Sequence, residues 1–160
     1  MNLDSKEFRR ILGHYPTGVC AVTSISGSNN PAGMIVGSFT SVSIDPPLVG
    51  FFPDKSSSTW PIIRETGRFC INVLSESQQG VCSSLASKGE RKFDGVDYHL
   101  SPLGSPIIAG TLAWIDCELY AVHEAGDHYI VLGHVNTLDL NTAGDPMIFL
   151  KGGYSRAIPV

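Results

Sequence analysis

Along most of this chain, apolar residues recur at every second position rather than every third or fourth. Val19, Ala21, Thr23 and Ile25 alternate with small residues, the period of a strand with one face buried. Residues 26–31 are dense in turn formers, so a second strand over about Gly33–Ser43 folds back on the first as a hairpin. Asp45-Pro46-Pro47 stops it. Leu48–Phe52 is a short continuous apolar run, the pattern of a strand covered on both faces. Phe69–Leu74 is the next strand. Leu112–Val122 and His128–Leu138 are long and β-rich, and Glu124-Ala125-Gly126-Asp127 between them is a good hairpin loop. Met147–Leu150 closes the series.

Three short helices interrupt the strands. Asp4 caps the first, with Glu7 three positions on and Phe8, Ile11 and Leu12 on one face; Gly13 stops it. Lys55–Thr59 offers caps for a second helix carrying Trp60, Ile62 and Ile63, with Pro61 in its first turn and Gly67 at its end. Ser75 and Gln78 form a capping box for a third, which runs to about Ala86. Gly89–Tyr98 is a polar loop with one aromatic, Phe93, inside it. Six or more strands and three helices predict a mainly β fold, a closed or nearly closed antiparallel barrel over 1–160 as one domain.

Composition narrows the function. A chain of 160 residues buries about 70% of its unfolded surface and needs no metal or disulfide to hold a core. Net charge is −4 and no Lys/Arg run is long enough to follow a phosphate backbone, so nucleic acid is not an expected partner. No stretch approaches the roughly 18–20 apolar residues of a membrane span, and the charged start carries no secretory pattern, so a cytoplasmic address is expected. Cys20, Cys70, Cys82 and Cys117 lack metal-site spacing and read as buried thiols, with no metal site expected. No Gly-x-Gly-x-x-Gly follows a strand, so a Rossmann site is not indicated.

Candidate chemistry is sparse. Lys55, Ser56, Ser57, Ser58 and Thr59 combine a cation with hydroxyls ahead of a helix, which suits a phosphate or a solvated cap. Gly37 and Ser38 alone read as a bulge in a strand. His128 opens a strand after Gly126-Asp127. Gly152-Gly153-Tyr154-Ser155 offers a flat aromatic with a polar tip, or a C-terminal turn packed on the barrel. Asp45, Asp54, Asp94 and Asp127 adjoin turn residues and read as turn formers.

Five ordered segments carry a resemblance: GMIVGSFTSVSIDPPLVGFFPDKSSSTW (33–60), GRFCINVL (67–74), PLGSPIIAGTLAWIDC (102–117), GDHYIVLGHV (126–135) and LKGGY (150–154). The chain resembles the short-chain flavin reductases, reductase partners of two-component flavin monooxygenases. The resemblance implies an antiparallel split β-barrel of the FMN-binding type, a homodimer with flavin near the subunit interface. It implies hydride transfer from NADH, or NADPH, to FAD or FMN, with FAD slightly preferred, and a larger monooxygenase component as partner. The alternatives are a split-barrel oxidase that retains its flavin, or a flavin-binding module without turnover. In this pattern Met34, Ile35, Val36, Gly37, Ser38 and Phe39 present backbone to the flavin, and Lys55–Thr59 with Trp60 hold its phosphate. Ser87, Lys88 and Phe93 match further flavin-contacting positions. His128 matches a nicotinamide-positioning site, and Gly152, Gly153, Tyr154 and Ser155 match its pocket. Where the pattern has Thr at 35 and Asn or Ser at 37, this chain has Ile35 and Gly37 and lacks two hydrogen-bonding side chains.

Overall fold

The computed structural model describes residues 3–160. In chain order the elements are α1 (Ser5–Leu12), β1 (Thr17–Gly18), β2 (Cys20–Ile25), β3 (Pro31–Val36), β4 (Thr40–Ser43), β5 (Leu48–Phe51), α2 (Trp60–Thr66) and β6 (Arg68–Val73). They continue with α3 (Gln79–Ala86), β7 (Tyr98–Leu100), β8 (Pro106–Ile108), β9 (Ala113–Ala125), β10 (His128–Leu140), β11 (Met147–Leu150) and β12 (Gly153–Arg156). One sheet runs in the order β3-β2-β6-β9-β10-β5-β4, all antiparallel. β1, β11 and β12 form a second sheet, and β7 and β8 pair alone.

The large sheet is curled. β5 and β6 are separated in it by β9 and β10, yet Phe51 and Phe69 meet edge to face with centroids 5.1 Å apart. That contact crosses the interior. Met34 and Val36 from one edge strand join Val49, Phe51 and Val131 from the far side in one buried cluster, plugged by Trp60 and Ile63 of α2. The seven-stranded sheet is thus a split barrel, open between β3 and β4, which residues 37–39 connect.

Alternation along β2 explains why it is buried on both faces. Cys20 and Val22 enter the barrel cluster, while Val19 and Ala21 enter a second cluster outside it with Leu74, Cys82, Leu85, Ile108 and Met147. The β9–β10 hairpin pairs Ala125 with His128 at its tip and Ala113 with Leu140 at its base. Two register shifts interrupt it, a device that bends and twists a ribbon toward closure. Gly133 lies at one of them, and a Cβ there would collide with the Phe69 ring.

Several expectations are corrected. The strand expected over 33–43 is two strands on opposite edges of the sheet. β3 keeps its ladder with β2 only to Val36, and β4 pairs with β5. The chain turns there because Gly37 lies against Thr17, whose Oγ1 would be 2.7 Å from a Cβ at 37, and because Ser38 Oγ accepts the Phe52 N–H at 2.9 Å. Only half of the expected capping box forms. The Ser75 N–H donates to Gln78 Oε1 at 3.0 Å, but Ser75 Oγ turns to Ser77, so α3 starts at Gln79. Asp4 does cap α1, through the Lys6 N–H at 3.1 Å, while Glu7 pairs with Arg10. β7 and β8, which no local pattern marked, pair with each other, and β12 is a strand paired with β11 where a C-terminal turn was the alternative.

A buried polar network pins β8 to the barrel. Asn72 Oδ1 accepts the Ile108 N–H at 2.8 Å, and Thr23 Oγ1 donates to the Pro106 carbonyl at 2.6 Å. Burying polar atoms is tolerable here because each finds a partner. Asp116, also buried, accepts from Ser101 Oγ at 2.7 Å and from the Leu103 N–H at 2.8 Å.

Candidate functional site

Three chain segments converge where β3 ends. The first is 34–38. The second is 52–57, which leaves β5 along the barrel mouth. The third is the start of β10, zipped to the second by the Lys55 N–H on the Asp127 carbonyl at 2.9 Å, the Tyr129 N–H on the Pro53 carbonyl at 3.0 Å, and a bridge between Asp54 and His128. Together they wall a cavity of about 340 Å³ lined by Met34, Ile35, Val36, Gly37, Ser38, Phe52, Pro53, Asp54, Ser57 and His128. The peptide groups of Gly37, Ser38 and Phe39 lie outside both ladders.

Within that cavity each polar side chain is already oriented. His128 Nδ1 is 2.7 Å from Asp127 Oδ1, which fixes the ring and leaves Nε2 as its other hydrogen-bonding atom. Ser56, through its hydroxyl and its N–H, holds the Asp54 carboxyl below the usual carboxylate value, and the His128 charge adds to this. Ser57 Oγ accepts the N–H groups of Thr59 at 3.2 Å and Trp60 at 3.3 Å, so Ser57 caps α2.

The side chains of Lys55, Ser56, Ser57 and Thr59 each have a partner within the protein. The Lys55 ammonium is taken by Glu124 at the hairpin and sits 5.2 Å over the Tyr129 ring. Ser56 is spent on Asp54, and Thr59 Oγ1 donates to the Gly33 carbonyl at 2.8 Å. Trp60 is buried in the barrel cluster against Tyr129, and Phe39 packs on the same cluster.

A larger cavity encloses about 800 Å³. Ser58, Thr59, Gly33 and Phe93 line it, together with Pro31, Ile62, Glu90, Lys92, Asp94 and Tyr98. Tyr154 and Ser155 line a third, of about 260 Å³, with Glu76, Met147 and Arg156. Tyr154 Oη is 3.0 Å from Cys82 Sγ, and this hydrogen bond, with partial burial, raises the phenol's pKa. Ser87 and Lys88 are exposed at the end of α3 and line none of these three cavities, and Ser87 Oγ donates to the Ser84 carbonyl at 2.6 Å. The structure thus gathers 34–38, Ser57 and His128, sets Ser58, Thr59 and Phe93 in the larger cavity, and keeps Tyr154 and Ser155 in a separate pocket.

Sequence reading missed Lys92, Thr17 and Phe52. Lys92 stands in a charged loop with no local pattern to mark it. Thr17 is found only through its contact with Gly37. All four cysteines are buried and unbridged, and burial pushes Cys20 and Cys117 up to about 12, so neither thiol is a nucleophile near neutrality.

The comparisons with known proteins agree with this geometry. The family described as "Flavin reductase like domain" matches residues 12–157. A flavin reductase of Pseudomonas putida is 56% identical over 152 residues, covering 95% of this chain and 89% of that protein. The crystal structure of a nitrilotriacetate monooxygenase component B homologue from Mycobacterium thermoresistibile superposes with a TM-score of 0.94 at 44% identity, covering 98% of this chain and 88% of that one. The NADH:FAD oxidoreductase SgcE6 of Streptomyces globisporus, solved with NAD and FAD fragments, gives a TM-score of 0.90 at 36% identity, covering 99% and 98%. The chain belongs to the flavin reductase family.

Proposed function

We propose that this chain is an NAD(P)H-dependent flavin reductase that passes a hydride from NADH to FAD or FMN and supplies reduced flavin to a partner monooxygenase. One observation carries the reading: the unpaired peptides of Gly37 and Ser38, together with Ser57 and His128, meet at one cavity in a chain of this family. The cavity fits a flavin ring system. It joins the apolar faces of Met34, Ile35 and Val36 to backbone that no strand uses, the mix of apolar wall and few polar groups that small-molecule sites show.

Bound flavin supplies the hydride-accepting chemistry, and the protein supplies orientation and electrostatics. The N–H groups of Gly37 and Ser38, which no strand uses, would hold the flavin and stabilise the negative charge that develops on it without reorganisation. Asp127 holds the His128 ring, whose Nε2 would orient the nicotinamide amide or ribose. The Ser57 hydroxyl lies beside Met34, 4.0 Å from its sulfur, at the exit from the cavity.

A homodimer fits the exposed apolar face of α1, where Phe8, Ile11 and Leu12 are each about half exposed. A cytoplasmic setting fits a flavin–nicotinamide reaction; among the described residues, no helix is long and apolar enough to cross a membrane.

The test is loss of the nicotinamide absorbance band when purified protein is mixed with NADH and free FAD or FMN. Catalytic loss is expected, and no loss with either flavin overturns the reading. His128→Ala should raise the KM for NADH about tenfold, on the order of 1.4 kcal/mol, and leave the flavin KM within about twofold. Equal changes in both would remove His128 from the nicotinamide site.

A further inference from the structure

Hydride transfer changes the charge of both reactants. A hydride is one proton with two electrons, so the nicotinamide ring that gives it up gains one positive charge. The neutral flavin ring that takes it gains one negative charge. A chain that supplies reduced flavin to another protein works against itself if it holds that anion more tightly than the oxidised ring. The charges around the cavity at 34–38 bear on this directly.

That cavity carries one fixed charge. Of the described residues that line it, Asp54 alone has a carboxylate, and none is a lysine or an arginine. Asp54 Oδ1 accepts the Ser56 hydroxyl and the Ser56 N–H, both at 2.7 Å, which favours the ionised form. Among the described residues, no cationic side chain lies within ion-pair distance of it. Lys55, the next residue, is held by Glu124 and sits over the Tyr129 ring. His128 turns its Nδ1 to Asp127. The mouth therefore sets the carboxylates of Asp54, Asp127 and Glu124 against Lys55 and one imidazole. Its net charge is negative whether or not that imidazole is protonated.

We propose that Asp54 biases the cavity against the reduced, anionic ring, so that the product leaves and oxidised flavin takes its place. The proposal rests on the flavin-reductase reading of this cavity. The N–H groups of Gly37 and Ser38 favour negative charge by contact. The Asp54 carboxylate opposes it through space, and acts far less on the neutral oxidised ring. Its effect therefore separates the two redox forms, whereas a packing contact serves both alike.

Asp54→Asn tests this, because the carboxamide oxygen still accepts both Ser56 hydrogen bonds and only the charge is lost. The affinity of the full chain for oxidised and for photoreduced FMN is measured without oxygen or nicotinamide, and the midpoint potential of the bound flavin is the second readout. The phosphate is common to both forms and cancels in their ratio. The substitution should tighten the reduced form about three- to tenfold relative to the oxidised one. That change raises the potential of the bound two-electron couple by about 15–30 mV. Asp54→Glu keeps the charge and should leave the ratio within about twofold. Added salt should move the ratio of the unaltered chain toward that of Asp54→Asn, and this carries the test if the variant fails to fold. An unchanged ratio in Asp54→Asn, equal weakening of both forms, or a ratio indifferent to salt in the unaltered chain overturns the proposal while the reductase reading stands. Failure of both redox forms to bind overturns both.

Discussion

β6 and the β3–β4 edge belong to one sheet and have opposite characters. In β6, Phe69, Cys70, Ile71 and Asn72 are fully buried in succession, because one face looks into the barrel, which α2 plugs, and the other is covered by β8. At the edge, β3 surrenders its ladder after Val36, and β4 leaves Thr40, Ser41 and Val42 exposed. The center of the sheet secures the fold with packed volume and satisfied polar groups. The edge gives up ladder pairing, and the freed peptides become the wall of the site. Stability and binding are thus placed at different strands, so substitutions at each should separate.

The largest effect is expected at the center. Phe69→Ala removes the ring that meets Phe51 across the barrel and should cost about 3–5 kcal/mol of unfolding free energy in urea. A loss below about 1 kcal/mol would mean that the interior is not packed on this ring. Next comes the junction. Gly37→Ser drives a Cβ against Thr17 Oγ1 and should cost about 1–3 kcal/mol. Pairing it with Thr17→Gly should recover most of that in a double-mutant cycle, and strict additivity would show that Thr17 is not the obstacle.

A smaller effect is expected at the buried carboxylate behind β6. Asp116→Asn leaves one of its two donors without a good acceptor and should cost about 1–2 kcal/mol. This site also has a pH signature. Burial raises the Asp116 pKa above its ordinary value, against the Ser101 and Leu103 hydrogen bonds. The folded chain therefore keeps this proton at a pH where the unfolded chain has lost it. Its contribution to stability is full below the ordinary carboxylate value, falls as pH rises through the raised folded value, and is flat above. That fall should be missing from the stability profile of Asp116→Asn. The smallest effect is expected at Lys55→Ala, because its pairing with the exposed Glu124 is screened by solvent and should leave the unfolding midpoint nearly unchanged. Flavin KM should stay within about twofold; a larger rise would return Lys55 to the phosphate.

Much of this was legible along the chain. The β9–β10 hairpin, the β2–β3 pair and the Pro61–Gly67 limits of α2 follow from local period, turn residues and caps. The break at Gly37 was not, because its cause is Thr17, twenty residues earlier. β8 was missed because its partners, Asn72 and Thr23, lie on other strands. The pairing of Lys55 with Glu124 was not legible, because a loop lysine looks the same whether it faces a phosphate or a carboxylate. Phe93 was recognised as a candidate, but Lys92 beside it was not.

The sequence by itself determined the longer elements, the barrel class and the family, since periodicity and motif order are local properties that survive without coordinates. Tertiary structure decided which candidates share a cavity. Curling the sheet brings the end of β3, the exit of β5 and the start of β10 together, while β11 and β12 carry Tyr154 to another pocket. Side-chain partners such as Glu124 for Lys55 and the Gly33 carbonyl for Lys92 are set by that closure. No spacing along the chain encodes them, because hydrogen bonds and charges act over a few ångströms of space and not over intervals of sequence.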